Sequence, residues 1–225
     1  MSEQNYQAFW NEVLNLIHEE YKAKGNSDDK TVRLCYQAML SREPDEAEIA
    51  NWTAMLEDGY STTRLVAEFV ASPEFASICE TYGLTAGSIE LGPRDSNSNL
   101  TRFVERCYDF ALERPADEGG LNEWCGHVLN GDVNEAGELI TPERVVFGFV
   151  FSGEAQAKER DDTAFITMLY RIMLDRAPDE AGLEAWSTAL ADWEKNLGQD
   201  AGRQKLYAEF AGMPEFGLML NNFTL

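Results

Sequence analysis

Apolar positions along the chain recur with the period of an α-helix. Val32, Cys35, Tyr36, Met39 and Leu40 stand at i, i+3, i+4, i+7 and i+8. Val104, Cys107, Tyr108, Ala111 and Leu112 repeat that spacing, and so do Ile166, Leu169, Tyr170, Met173 and Leu174. Each set is one face of an amphipathic helix. Near the N-terminus Tyr6, Phe9, Trp10, Val13, Leu14, Leu16 and Ile17 outline a further helix, ended by Gly25-Asn26-Ser27. No segment sustains alternation of period two, so the expected fold class is all-α, without a sheet.

The polar positions repeat too. Arg42-Glu-Pro-Asp-Glu-Ala-Glu-Ile-Ala-Asn-Trp52, Arg114-Pro-Ala-Asp-Glu-Gly-Gly-Leu-Asn-Glu-Trp124 and Arg176-Ala-Pro-Asp-Glu-Ala-Gly-Leu-Glu-Ala-Trp186 align without a gap. A tyrosine precedes each arginine by six residues. Downstream, Val66–Phe75, Val146–Ala155 and Tyr207–Phe216 align around a central Phe69, Phe149 and Phe210. A sequence that recurs three times in register is a tandem repeat. Trp and central Phe are 17 residues apart in copy one but 25 and 24 in copies two and three, which places insertions at about 132–141 and 192–202. Asp45, Asp117 and Asp179 are N-cap residues, and Asp45-x-x-Glu48 is a capping box. Asp58-Gly59 and Asn130-Gly131 read as helix stops, and Ser72-Pro73-Glu74 and Thr141-Pro142-Glu143 as helix starts.

The expected organisation is an N-terminal capping helix (1–27), repeat unit one (28–83), a Gly/Ser/Asn-rich linker (84–99), repeat unit two (100–160) and repeat unit three (161–225), leaning on one another as stacked repeats do.

Charge narrows the partners. The 225 residues hold 40 Asp+Glu against 18 Lys+Arg, a formal charge of −22. Such a surface repels phosphate, which opposes nucleic acid and anionic membranes and favours a basic partner. The longest stretch without a charge is 10 residues, Phe216–Leu225, too short to span a bilayer. The N-terminus carries no basic and apolar signal-peptide pattern. Cys35, Cys79, Cys107 and Cys125 form no CxxC pair and read as reduced core residues.

The Tyr-x5-Arg-x2-Asp pattern with its following Trp, and the Phe-x2-Ser-Pro-Glu-Phe helix start, resemble the DUF4214 family, whose repeats are similar at a distance to the helical phycobilisome linker domain. The resemblance covers about residues 28–225. It implies a bacterial helical recognition or attachment module of a secreted or cell-surface protein, with surface glycan as the ligand; export without a signal peptide would follow a type I route or come from a larger precursor. A cytoplasmic location is the alternative. Copy two departs from the pattern, with Pro115 directly after Arg114 and Ala155 in place of Phe.

Catalytic chemistry has little to rest on. The chain has no P-loop, no GxGxxG, no GxSxG elbow, no EF-hand loop and no zinc-type spacing around His18 or His127, its two histidines. No enzyme, no catalytic residue and no cofactor are expected, although the carboxylates of Asp161, Asp162, Asp192 and Asp200 are the oxygen ligands calcium would take. The repeated Arg–Asp pairs read as a structural turn in which Asp caps a helix and Arg bonds nearby carbonyls or that Asp. Trp52, Trp124 and Trp186 fall on apolar stripes and read as core. The ligand-binding residues expected are those of the insertions, because loops on a rigid scaffold carry recognition: Trp193, Asp192 and Asp200 in copy three, Asp132 and Asn134 in copy two. The expected function is non-catalytic binding of glycan. The alternative is a protein–protein scaffold for a basic partner.

Overall fold

The structure, a computed structural model, describes residues 28–221. The expected N-terminal helix with Tyr6, Phe9 and Trp10 lies outside the described residues, as does the end of the chain after Asn221. The described residues are all-α, and their one β feature is an isolated antiparallel bridge between Val133 and Leu139. No helix among them is long and apolar enough to cross a membrane. The chain divides into two compact units between Ser98 and Asn99.

The first unit holds α1 (Asp28–Leu40), α2 (Glu46–Glu57), α3 (Thr62–Ala71), α4 (Pro73–Thr81) and α5 (Pro93–Ser96). The predicted stripe Val32, Cys35, Tyr36, Met39 and Leu40 is buried, packed against Leu65, Val66, Phe69 and Val70 of α3. The starts of α2, α3 and α4 are satisfied locally. Asp45 accepts from Glu48 N while Glu48 Oε2 accepts from Asp45 N, the complete capping box. Ser61 and Ser72 accept from Arg64 N and Phe75 N. The segment 84–99 is more than a linker. Ile89 packs on the core, and Arg64 donates to the carbonyls of Asp95 and Ser96.

The second unit holds α6 (Ser98–Arg106) continued by a π-helical segment (Cys107–Leu112), α7 (Glu118–Asn130), α8 (Pro142–Val150), α9 (Gly153–Gln156), α10 (Asp162–Met173), α11 (Glu180–Leu197), α12 (Gln199–Ala211) and α13 (Pro214–Leu220). The stripes of α6 and α10 merge in one core around Phe103, Ile166, Met173, Leu206, Phe210 and Phe216. The four cysteines are free and buried. Burial pushes the Cys35 thiol up to about 12, and that of Cys107 upward too.

The expected insertion at 192–202 is not a loop. Residues 183–197 are mostly good helix formers with no glycine or proline, so α11 runs on to Leu197 before Gly198, at φ +89, turns the chain into α12. The two helices then pack closely enough that a Cβ on Gly202 would stand 2.9 Å from the backbone nitrogen of Glu194.

Candidate functional site

The three copies of the motif build one arrangement. The helix carrying the tyrosine ends, and the residue before the arginine takes a left-handed conformation: Ser41 at φ 55, Glu113 at φ 54, Asp175 at φ 52. That turn swings the following arginine back over the tyrosine ring, with guanidinium-to-centroid distances of 4.6 Å for Arg42–Tyr36, 5.0 Å for Arg114–Tyr108 and 5.0 Å for Arg176–Tyr170. Each tyrosine also meets the central phenylalanine edge-on, at 4.8, 4.8 and 5.2 Å to Phe69, Phe149 and Phe210. Each tryptophan lies against the same phenylalanine at 5.4, 5.2 and 5.2 Å. These tryptophans are half-buried at the edge of the core rather than within it. The edge position lets Trp52 Nε1 donate to the Tyr36 hydroxyl at 3.2 Å.

Arg42 donates to the nearby carbonyl of Glu43 at 3.3 Å, as expected, but the main partner of the arginine is a different one. It is the glutamate in the first turn of the last helix of each copy: Arg42–Glu74 at 2.6 Å, Arg114–Glu154 at 2.7 Å and Arg176–Glu215 at 2.8 Å. These hydrogen bonds hold the carboxyls of Glu74, Glu154 and Glu215 below the ordinary range. The aspartates keep their predicted role, accepting from the backbone N–H of Glu48, Gly120 and Gly182. Where copy one has Glu48, copies two and three have glycine, and a Cβ there would overlap the hydroxyl of Tyr108 or Tyr170. In copy one Glu48 instead binds Arg42 at 2.8 Å, which with the capping bond lowers its carboxyl to about 2. Arginine and glutamate thus pair with each other in every copy, and the aspartate is spent on a backbone N–H.

The insertions place the predicted binding residues as follows. Asp132 Oδ2 lies 2.8 Å from His127 Nδ1 at the base of the 132–141 hairpin. Asn134 Oδ1 accepts from Ala136 N and Glu138 N and shapes the hairpin's turn. Trp193 is half-buried at the edge of the core, with Lys205 Nζ 4.9 Å from its ring centroid. Asp192 is exposed on α11 and accepts from Asn196 Nδ2. Among the calcium candidates, Asp161 caps α10 and Asp162 binds Arg203 at 3.0 Å. Among the described residues no three His, Cys, Asp or Glu side chains are grouped as a metal site.

Asp200, in the first turn of α12, belongs to a feature that sequence reasoning missed. Phe147 and Phe151, one helical turn apart, stack at 4.7 Å, and Tyr207 of α12 meets them edge-on at 5.4 and 5.9 Å. Its hydroxyl donates to the carbonyl of Glu143, and burial pushes its pKa up. Phe151 continues to Phe165 at 6.2 Å, forming with Met168 the floor of a cleft whose rim carries Gln156, Asp200 and Arg203. The excess of phenylalanine at 147–151 was the available signal, since only Phe149 and its flanking valines are needed for the core stripe.

No curated protein and no solved structure matches the chain. The family model described as a domain of unknown function (DUF4214) matches residues 15–79 and 146–219, more than half of the sequence, and the chain belongs to that family.

Proposed function

We propose that this chain is a non-catalytic binding and attachment module whose partner is a positively charged protein. The observation that carries the reading is how the charges are disposed. The guanidiniums of Arg42, Arg114, Arg144, Arg160, Arg176 and Arg203 each hold a carboxylate of the same unit. With 40 acids against 18 bases, the remaining surface is strongly negative. Such a field speeds association with a basic partner and discriminates against acidic ones. The recurring polar residues support a non-catalytic role, because the arginines and glutamates pair within each copy and the aspartates cap helices.

Between the two ligand classes, the tryptophans favour protein over glycan. A pyranose needs a free aromatic face, whereas Trp52, Trp124 and Trp186 lie against phenylalanines and Trp193 sits beneath Lys205. The test immobilises the full chain and passes native extract over it at low and high salt, alongside a glycan array. Salt-sensitive retention of a basic protein with a blank array supports the proposal. An array hit with no retained protein replaces it with the glycan reading. The secreted or cell-surface setting is part of the same proposal, and neighbouring genes for a type I exporter would support it.

A further inference from the structure

We infer that the aromatic strip Phe147–Phe151–Tyr207, with the cleft it leads into, docks a basic polypeptide segment that carries one apolar anchor residue. This rests on the reading above and names the contact surface.

The apolar half of the argument is local. Phe147 is 42% exposed on α8, although the core stripe of that helix is complete without it in Val145, Val146, Phe149 and Val150. Its neighbour Gly148 is exposed and has no side chain to cover the ring. Tyr207, tied by its hydroxyl to the first turn of α8, holds the strip's inner edge rigid. A preorganised aromatic surface that leads into a concave floor of Phe151, Phe165 and Met168 is the kind of place where one anchor side chain seats.

The polar half gives the occupant its charge. Arg203 on the rim is neutralised by Asp162 at 3.0 Å and lies 3.5 Å from Glu194, while Arg144 beside Phe147 in α8 is paired with Glu138. Asp200 is exposed on α12, Glu143 is half-exposed at the start of α8, and Arg160, which also lines the cleft, is paired with Glu113. A segment laid along the strip therefore meets carboxylates on both helices and cations that are already satisfied. A second copy of this chain, itself at −22, is electrostatically the wrong occupant.

The experiment titrates the full chain into a fluorescein-labelled twelve-residue peptide of alternating lysine and serine with one central phenylalanine, read by anisotropy at about 50 mM and about 300 mM sodium chloride. Two comparison peptides replace the phenylalanine with serine or the lysines with glutamate. The inference expects binding of the first peptide, loss with the glutamate peptide, and weakening of about tenfold or more with the serine peptide or with Phe147→Ser. Asp200→Lys should weaken binding several-fold and flatten the salt dependence. Tyr82→Ser, at a 76% exposed position of the first unit, should change nothing. Gly148→Lys, whose Cβ would lie 3.9 Å from Trp124 in ordinary contact, adds bulk and positive charge to the strip and should also weaken binding. It serves as the decisive variant if Phe147→Ser does not fold.

Equal affinity of Phe147→Ser, or of Gly148→Lys in its place, with the parent chain overturns this docking site while leaving the acidic-surface reading intact. Failure of every lysine peptide to bind at low salt overturns both. A dimer of the parent chain that Phe147→Ser dissolves overturns the basic occupant in favour of a second copy.

Discussion

Arg42 stacks on Tyr36, six residues before it, with the guanidinium 4.6 Å from the ring centroid. The backbone brings the two together as well, since Arg42 N donates to Tyr36 O at 3.5 Å across the left-handed residue Ser41. Every other element of the repeat is placed by this pair. The phenylalanine packs on the ring, the glutamate pairs with the guanidinium, and the aspartate opens the next helix three residues on.

Ser41 is exposed and left-handed, a conformation that costs an L-residue about 1–2 kcal/mol and glycine very little. Ser41→Gly should raise stability by roughly 0.5–1 kcal/mol, after allowing for the greater chain entropy of glycine. The midpoint of urea unfolding reads it. The same change at Glu113 or Asp175 should not help, because these left-handed residues hold Arg160 and Arg106 at 2.8 Å.

Gly182→Ala should destabilise, although alanine is the better helix former by about 1 kcal/mol, because the new methyl meets the Tyr170 hydroxyl. Overpacking of this kind costs about 1–3 kcal/mol. Thermal unfolding should fall in the single variant and recover in Gly182→Ala/Tyr170→Phe, where the obstructing oxygen is gone.

Arg160→Ala should cost about 2–4 kcal/mol. The side chain is 9% exposed and donates to the carbonyls of Phe110, Ala111 and Ala155 and to Glu113. Its loss leaves the end of the π-helical segment with unpaired oxygens. Lysine can satisfy only some of these acceptors, so Arg160→Lys should fall between the two in denaturant.

Acid should loosen the repeats. Glu48, Glu74, Glu154 and Glu215 bind arginine as carboxylates, so their folded values lie below the unfolded value of about 4.3. Their contribution is present above that value and is lost as pH falls through the folded ones, between about pH 5 and about pH 2. Glu194 runs the other way. Burial raises its folded value, so its contribution declines as pH rises from about 4.3. Melting temperature against pH should show the acid limb, and Arg42→Gln should make it shallower.

Much of this was legible in the sequence because it is local. Helical period, N-cap, capping box and helix stop are decided within a turn or two, and Asp45, Ser72 and Gly131 sit where the pattern put them. The Arg–Glu pairs were not legible. Their partners are 32, 40 and 39 residues apart in the chain, and a glutamate after proline already has a local reason to be there. The second insertion misled for a related reason. Aligning the copies shows where residues were added, but not that additions rich in helix formers simply lengthen α11. Among the predicted site residues, Asp132 and Asn134 are absorbed in shaping their own hairpin and Trp193 is packed down. Asp200 lies on a cleft whose other walls come from α8, α9 and α10, and no spacing within α12 could announce that.

Arg160 stands at the boundary where the repeat pattern would divide copy two from copy three, yet its hydrogen bonds reach back some fifty residues into the first helix of copy two. Severing the gene there would not release two self-sufficient pieces. The upstream fragment would keep Arg160 but lose Arg203, which donates to the Arg160 carbonyl, and the half of the common core that Ile166, Leu206 and Phe210 supply, so the seam in the sequence would prove to be a rivet in the protein.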